Sequence, residues 1–204
     1  MSLKTLFAAL AIAAATASQA VIVNFGGFTQ NPGGALGSGL FVQHGSSSTF
    51  AGQILGTVQG QSTPNVFFCI SPDKVLPLPA SIDYDVTLAY GPMGAVLQHA
   101  FGLGSANQNE AARQLELWQM VGDDISLYQP SGGNSASVNA AKAAANGYSA
   151  TGSAWYAVYT PKSGNTQTLV TPTYQTTGVP VPEPVTVGFF ASGLAAALRR
   201  RRRR

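Results

Sequence analysis

The sequence is poor in charge. Only 9% of its residues are Asp, Glu, Lys or Arg, against about 25% in an average soluble chain. That excludes a highly charged disordered chain and a coiled coil. No run of about 18 uninterrupted apolar residues occurs, which excludes a multi-span membrane protein. Cysteine is represented once, by Cys69, so an exported form has no internal disulfide. The two histidines, His44 and His99, are far apart and have no Cys nearby, so no zinc site is expected. Gly-x-Ser-x-Gly, Gly-x-Gly-x-x-Gly and phosphate-loop patterns are missing. Asp83, Asp85, Asp123 and Asp124 match no calcium-loop spacing and read as solvated turns. Glu110 and Glu116 do not share a helix face, so no acid/base pair is evident. The chain is expected to need no metal or cofactor and not to be an enzyme.

The formal charge of +3 comes from the C-terminus, where six of the eleven basic residues stand together. Residues 21–180 hold Lys74, Lys142, Lys162 and Arg113 against seven carboxylates, a net −3. A nucleic-acid partner needs a basic surface, and this body offers none.

Gly (23 residues) and Pro (12 residues) are plentiful, and 45% of the chain is apolar. With 204 residues the chain has room for one domain with tails. Residues 1–20 have the order of a secretory signal: Lys4, an apolar stretch from Leu6 to Ala17, then Ser18-Gln19-Ala20 with small residues at −3 and −1. The mature domain is expected over residues 21–175 and a linker over 176–184. The tail, residues 185–204, follows Pro182-Glu183-Pro184. Its apolar run Val185–Leu198 ends in Arg199, Arg200, Arg201, Arg202, Arg203 and Arg204. As a helix the run is about 21 Å long, shorter than a ~30 Å hydrocarbon core. Arginines at its end can snorkel and would stay on the cytoplasmic side as a membrane stop.

Pro-Glu-Pro, a short hydrophobic helix and an arginine cluster in that order resemble the PEP-CTERM sorting signal. The resemblance implies export by signal peptidase and transient anchoring in the inner membrane by a transmembrane helix. It also implies processing by an exosortase. The destination would be the cell envelope, cell surface or extracellular matrix of a Gram-negative bacterium that makes extracellular polysaccharide.

Within the body, Val21–Phe25, Gln53–Gln59, Asn65–Ile70, Asp83–Leu88, Ala154–Thr160 and Thr166–Tyr174 read as strands. Asn31–Thr49 is Gly/Ser-rich, with short apolar pieces such as Leu40-Phe41-Val42. Pro92 suits the first position of a short helix ending at Gly102. Asn107 or Asn109 can cap a stronger helix running to Val121 and stopped by Gly122. Ser135–Asn146 is a third helical segment. The order predicts an α+β fold: a β-rich framework, sandwich or barrel-like, with a two- to three-helix insert. An N-terminal signal helix and a C-terminal sorting helix would flank it.

Two residues stand out. Cys69 closes the apolar strand Phe67-Phe68-Cys69-Ile70. Gln114 lies three residues after Ala111 and four before Trp118, on or beside the apolar stripe Ala111, Leu115, Trp118 and Val121. Arg113 and Glu116 are expected to point elsewhere. Burial alone accounts for a lone Cys, and a boundary Gln can bond the backbone. Phe68-Cys69-Ile70 and Gln114-Leu115-Glu116-Leu117-Trp118 together resemble the thioester domains of bacterial surface adhesins. In that family the Cys sulfur and the Gln carbonyl carbon form an internal thioester, which an amine on a surface target later opens. The resemblance implies Cys69 and Gln114 as the bonded pair. Phe68, Leu115 and Trp118 would shield the bond from water. It departs from the family at Arg113, where an apolar residue or Thr is usual, and at Ile-Ser-Pro after Cys69. The alternative is a non-covalent structural or carbohydrate-binding matrix module, with Tyr84, Tyr90, Trp155, Tyr156 and Tyr159 available to stack on sugars of an exopolysaccharide. A hydrolase using Cys69 and His99 ranks last, because no spacing argues for it.

Overall fold

The computed structural model describes residues 19–26 and 38–173, which fall within one compact unit. Apart from Gln19 and Ala20, the expected signal segment lies outside the described residues. So do the linker with Pro182-Glu183-Pro184 and the whole C-terminal tail. Among the described residues no helix is long and apolar enough to cross a membrane.

The fold is α+β. Strands β1 (Gln19–Phe25), β2 (Gly39–His44), β3 (Ser47–Gly52), β4 (Ile54–Val58), β5 (Asn65–Cys69) and β6 (Ala80–Gly91) come first. Helices α1 (Pro92–Gln98) and α2 (Ala106–Met120), the short strand β7 (Gln129–Pro130) and helix α3 (Ser135–Gly147) follow. Strands β8 (Ala154–Pro161) and β9 (Leu169–Pro172) close the series. Six strands form a closed barrel in the order β1-β4-β5-β9-β8-β6, and β3-β2-β7 make a second sheet. Every paired strand is antiparallel. The three helices enter between β6 and β8, which are neighbours in the barrel, so the helical segment is an insert in a continuous wall.

Alternation explains the barrel. Phe25, Phe67, Tyr84 and Tyr159 point inward and meet edge-on, with ring centroids 5.0 to 6.5 Å apart. Each large apolar side chain so buried contributes about 1.5–3 kcal/mol. Cys69 is two residues beyond Phe67, so its side chain shares that inward face. The intervening Phe68 faces out, against Val96, Leu97 and Leu117 of α1 and α2 and against Val170. The second sheet buries Val42 and Ala51 against Ala111, Leu115 and Trp118 of α2 and Val138, Ala141 and Ala145 of α3.

Several elements differ from the sequence reading. Helix α1 ends at Gln98, and His99 is already extended, so the segment stops short of Gly102. Its Gly94 lies on β8, where a Cβ would overlap the Ala154 carbonyl. Ser105, rather than either Asn, caps α2, its hydroxyl accepting from Gln108 N–H at 3.1 Å. Asn109 instead accepts from Leu103 N–H, and Asn107 from Gly39 N–H. Gly122 ends α2 in the left-handed region (φ 94°). Its N–H bonds Gln119 O and Asp123 N–H bonds Trp118 O, a Schellman closure. Val121 sits at that exposed end and is no part of the buried stripe. Tyr84 and Tyr159 are core residues that no sugar can reach.

Candidate functional site: a buried cysteine and glutamine

Cys69 is the last residue of β5 and stands opposite Leu169 of β9. Ile70 N–H bonds Thr168 O one step along. Cys69 and Leu169 are therefore a pair that exchanges no hydrogen bonds, and the N–H and C=O of Cys69 point to the other edge of the strand. On that edge β4 supplies no partner, because its pairing with β5 stops at Ile54–Phe67. Two buried backbone groups are thus left for a side chain to satisfy.

Gln114 of α2 fills the gap. Cys69 N–H donates to Gln114 Oε1 at 3.0 Å, and Gln114 Nε2 donates to the Cys69 carbonyl at 2.5 Å. The carboxamide stands where the paired residue of a neighbouring strand would. Gln114 is fully buried and Cys69 is 1% exposed. The two bonds set the carboxamide across from Cα of Cys69. The fold therefore brings together the two residues singled out in the sequence, 45 positions apart.

The sulfur has its own surroundings. Ser71 N–H donates to Sγ at 3.3 Å, and Ser71 Oγ accepts from Thr168 N–H at 2.7 Å. The Trp118 indole N–H has no partner at full hydrogen-bond geometry, but it faces the sulfur closely enough to favour a thiolate. Burial outweighs both donors and pushes the Cys69 thiol up to about 12. A free thiol here stays protonated at neutral pH and is a poor nucleophile toward outside reagents.

The three residues expected to shield the pair lie in two different clusters. Phe68, Leu115 and Trp118 are all buried. Leu115 and Trp118 belong to the cluster beneath the second sheet, and Phe68 to the one between α1 and β9. Arg113 does not point away from the site. Its guanidinium lies 5.7 Å from the Phe68 ring centroid, donates to the His99 carbonyl and pairs with Glu110 at 2.6 Å. It covers the outer face of the residue preceding Cys69. Glu116 is also buried rather than directed to solvent, one carboxylate oxygen lacks a partner, and burial raises its pKa. His99 stacks on Tyr148 at 4.1 Å and packs against Phe101. Those contacts engage its ring within the Phe101–Tyr148 cluster rather than with Cys69.

Sequence reading missed Tyr128. It is buried, stacks on Trp118 with centroids 5.1 Å apart, and carries His44 on its other side at 4.9 Å. Its hydroxyl donates to Asp123 Oδ2 at 2.6 Å, and Lys142 Nζ holds its carbonyl at 2.5 Å. The three rings lead from the exposed His44 inward to Trp118 beside the sulfur. The lone aromatic after the helix stop, a few residues beyond Asp123 and Asp124, was the available signal. Among the described residues no three His, Cys, Asp or Glu side chains gather in a way that could hold a metal.

Set against protein-family models, curated proteins and solved structures, the chain matches none of them.

Proposed function

We propose that this is an exported surface or matrix protein that attaches covalently to its target through an internal Cys69–Gln114 thioester. The observation that carries the reading is the reciprocal, fully buried pairing of Gln114 with Cys69. In the forming step the Cys69 sulfur adds to the Gln114 amide carbon. The C–N bond breaks, the thiol proton goes to nitrogen, and ammonia leaves. Cys69 N–H already donates to the oxygen on which negative charge develops and so acts as a fixed oxyanion donor. The carboxamide is held against the backbone of the residue that carries the thiol before reaction, which lowers the entropic cost of meeting. In the attaching step a neutral amine adds to the same carbon, the C–S bond breaks and the amine proton ends on sulfur. The Ser71 and Trp118 N–H groups favour the departing sulfur, while burial opposes it. That balance suits a bond that waits. Each chain would react once, as an attachment device and not as an enzyme.

The expected route is signal peptidase, inner membrane and exosortase, read from Lys4–Ala20 and from the Pro182-Glu183-Pro184 tail. Methylamine treatment followed by peptide mapping tests the covalent reading. A methylamide on Gln114 with a newly free Cys69 thiol is expected, and none in the Cys69→Ala chain. An unmodified Gln114 refutes it.

One observation favours the second reading, a carbohydrate-binding matrix module. Tyr90 and Trp155 are exposed cross-strand partners with centroids 5.3 Å apart, a surface on which a sugar ring can stack. A Trp155→Ala chain that loses retention on an exopolysaccharide column would support it.

A further inference from the structure

A cleft of about 510 Å³ opens beside the ring stack, between the β2–β3 hairpin and the Pro72–Leu78 segment. Its relation to the buried pair rests on two observations. Ser71, which holds the Cys69 sulfur, runs directly into the cleft wall at Pro72 and Asp73. Tyr128 lines the cleft and lies flat on Trp118, inclined by 18°. The stacked rings of Tyr128 and Trp118 therefore stand between the cleft and the Cys69 sulfur.

The lining has a definite chemistry. Phe41 and Val75 are exposed apolar side chains on opposite rims. Asp123 sits between them at the end of α2, its carboxylate fixed by the Tyr128 hydroxyl. Asp73 has Lys74 beside it at 3.8 Å. Asp123 has no cation within ion-pair distance among the described residues. A positioned carboxylate among aromatic and aliphatic walls complements a long apolar stem ending in an ammonium. A small neutral nucleophile gains nothing from it.

Resting on the thioester reading, the geometry points to this cleft as the docking site of the target, with Asp123 as the residue that selects a lysine side chain of a protein. Asp123 draws the ammonium to the edge of the ring stack. The amine gives its extra proton to solvent, and the neutral nitrogen passes Tyr128 to the Gln114 carbonyl carbon. Asp123 touches neither bonded atom in the resting structure and is a positioning residue.

The test uses the full chain and follows adducts by intact mass. The probes are an N-acetylated lysine peptide, glucosamine and hydroxylamine, each at low and high salt. The unsubstituted chain should react faster with the peptide than with glucosamine, and salt should slow the peptide more than the neutral hydroxylamine. Asp123→Asn keeps an acceptor for Tyr128. It should lower the ratio of peptide rate to hydroxylamine rate about tenfold, a usual size for electrostatic steering, and flatten its salt dependence. Tyr128→Phe, which frees the carboxylate but keeps the stack, should lower the ratio less. An unchanged ratio in Asp123→Asn overturns the docking site. A glucosamine rate above the peptide rate overturns the lysine assignment. No hydroxylamine adduct on the unsubstituted chain overturns the thioester reading, and the docking proposal with it.

Discussion

Removing the Gln114 carboxamide tests whether it completes the sheet at Cys69. The comparison belongs in a Cys69→Ala background, where no thioester can form and only the hydrogen bonds are at stake. Gln114→Leu keeps nearly the same volume, so the cavity left behind is small. It strips the partners from two backbone groups at position 69, the N–H held at 3.0 Å and the carbonyl held at 2.5 Å. Both are buried, and β4 offers no substitute. An unsatisfied buried polar group costs about 1–3 kcal/mol, so the pair should cost about 2–6 kcal/mol. Whole domains are stable by about 5–15 kcal/mol. At a urea slope of about 2 kcal/mol per M, the midpoint should fall by about 1–3 M with the slope unchanged. Gln114→Glu should retain the bond from the position-69 N–H but oppose the carbonyl, and should recover stability in acid when its carboxyl can donate. A Gln114→Leu loss below about 1 kcal/mol would refute the reasoning. It would mean that water or a relaxed backbone replaces the amide at no cost.

Three further outcomes are expected. Opening the thioester with methylamine releases a loop of 45 residues, worth about 4 kcal/mol by chain entropy, so thermal scans should show the melting temperature falling by roughly 8–16 °C. An unmoved melting temperature would show that no cross-link was present. Burial raises the Glu116 pKa, so the folded state holds its proton longer than the unfolded state. Stability therefore falls as pH rises from the ordinary carboxylate range through the raised value. Glu116→Gln should be the more stable chain at neutral pH and should converge with the parent in acid, as followed by urea unfolding. Arg113→Lys loses the planar stack on Phe68 and the fork between Glu110 and the His99 carbonyl. It should destabilise by about 1–2 kcal/mol and speed hydrolysis of the thioester, measured as the rate at which the ammonia mass deficit is replaced by added water.

Much of the fold was legible where local pattern is strong. The β-branched and aromatic runs at Val21, Asn65 and Ala154 became barrel strands, and the capped amphipathic segment became α2. Strand β3, Ser47–Gly52, was hidden because Ser, Thr and Gly carry no alternation until Ala51 packs under the helices. Barrel closure was also hidden, since it depends on β1 meeting β6 and β5 meeting β9 across long stretches of chain. The cap of α2 was misplaced because Ser105, Asn107 and Asn109 are all competent, and tertiary contacts with Gly39 and Leu103 claimed the two asparagines. At the site, Cys69 and Gln114 were legible as a pair only through a resemblance. The physical reason they meet, an unpaired strand edge at position 69, belongs to the sheet register. Asp123, His44 and Tyr128 lie outside any periodic segment and acquire meaning only from the ring stack.

The central claim is that Cys69 and Gln114 are joined. The direct measurement is the intact mass of the chain, purified without reductant or amine buffers, beside its Cys69→Ala counterpart. The account predicts a parent mass below the processed sequence mass by one ammonia, and a Cys69→Ala mass equal to its sequence. A parent mass equal to its sequence, with Cys69 alkylated as soon as the chain is denatured, would contradict it.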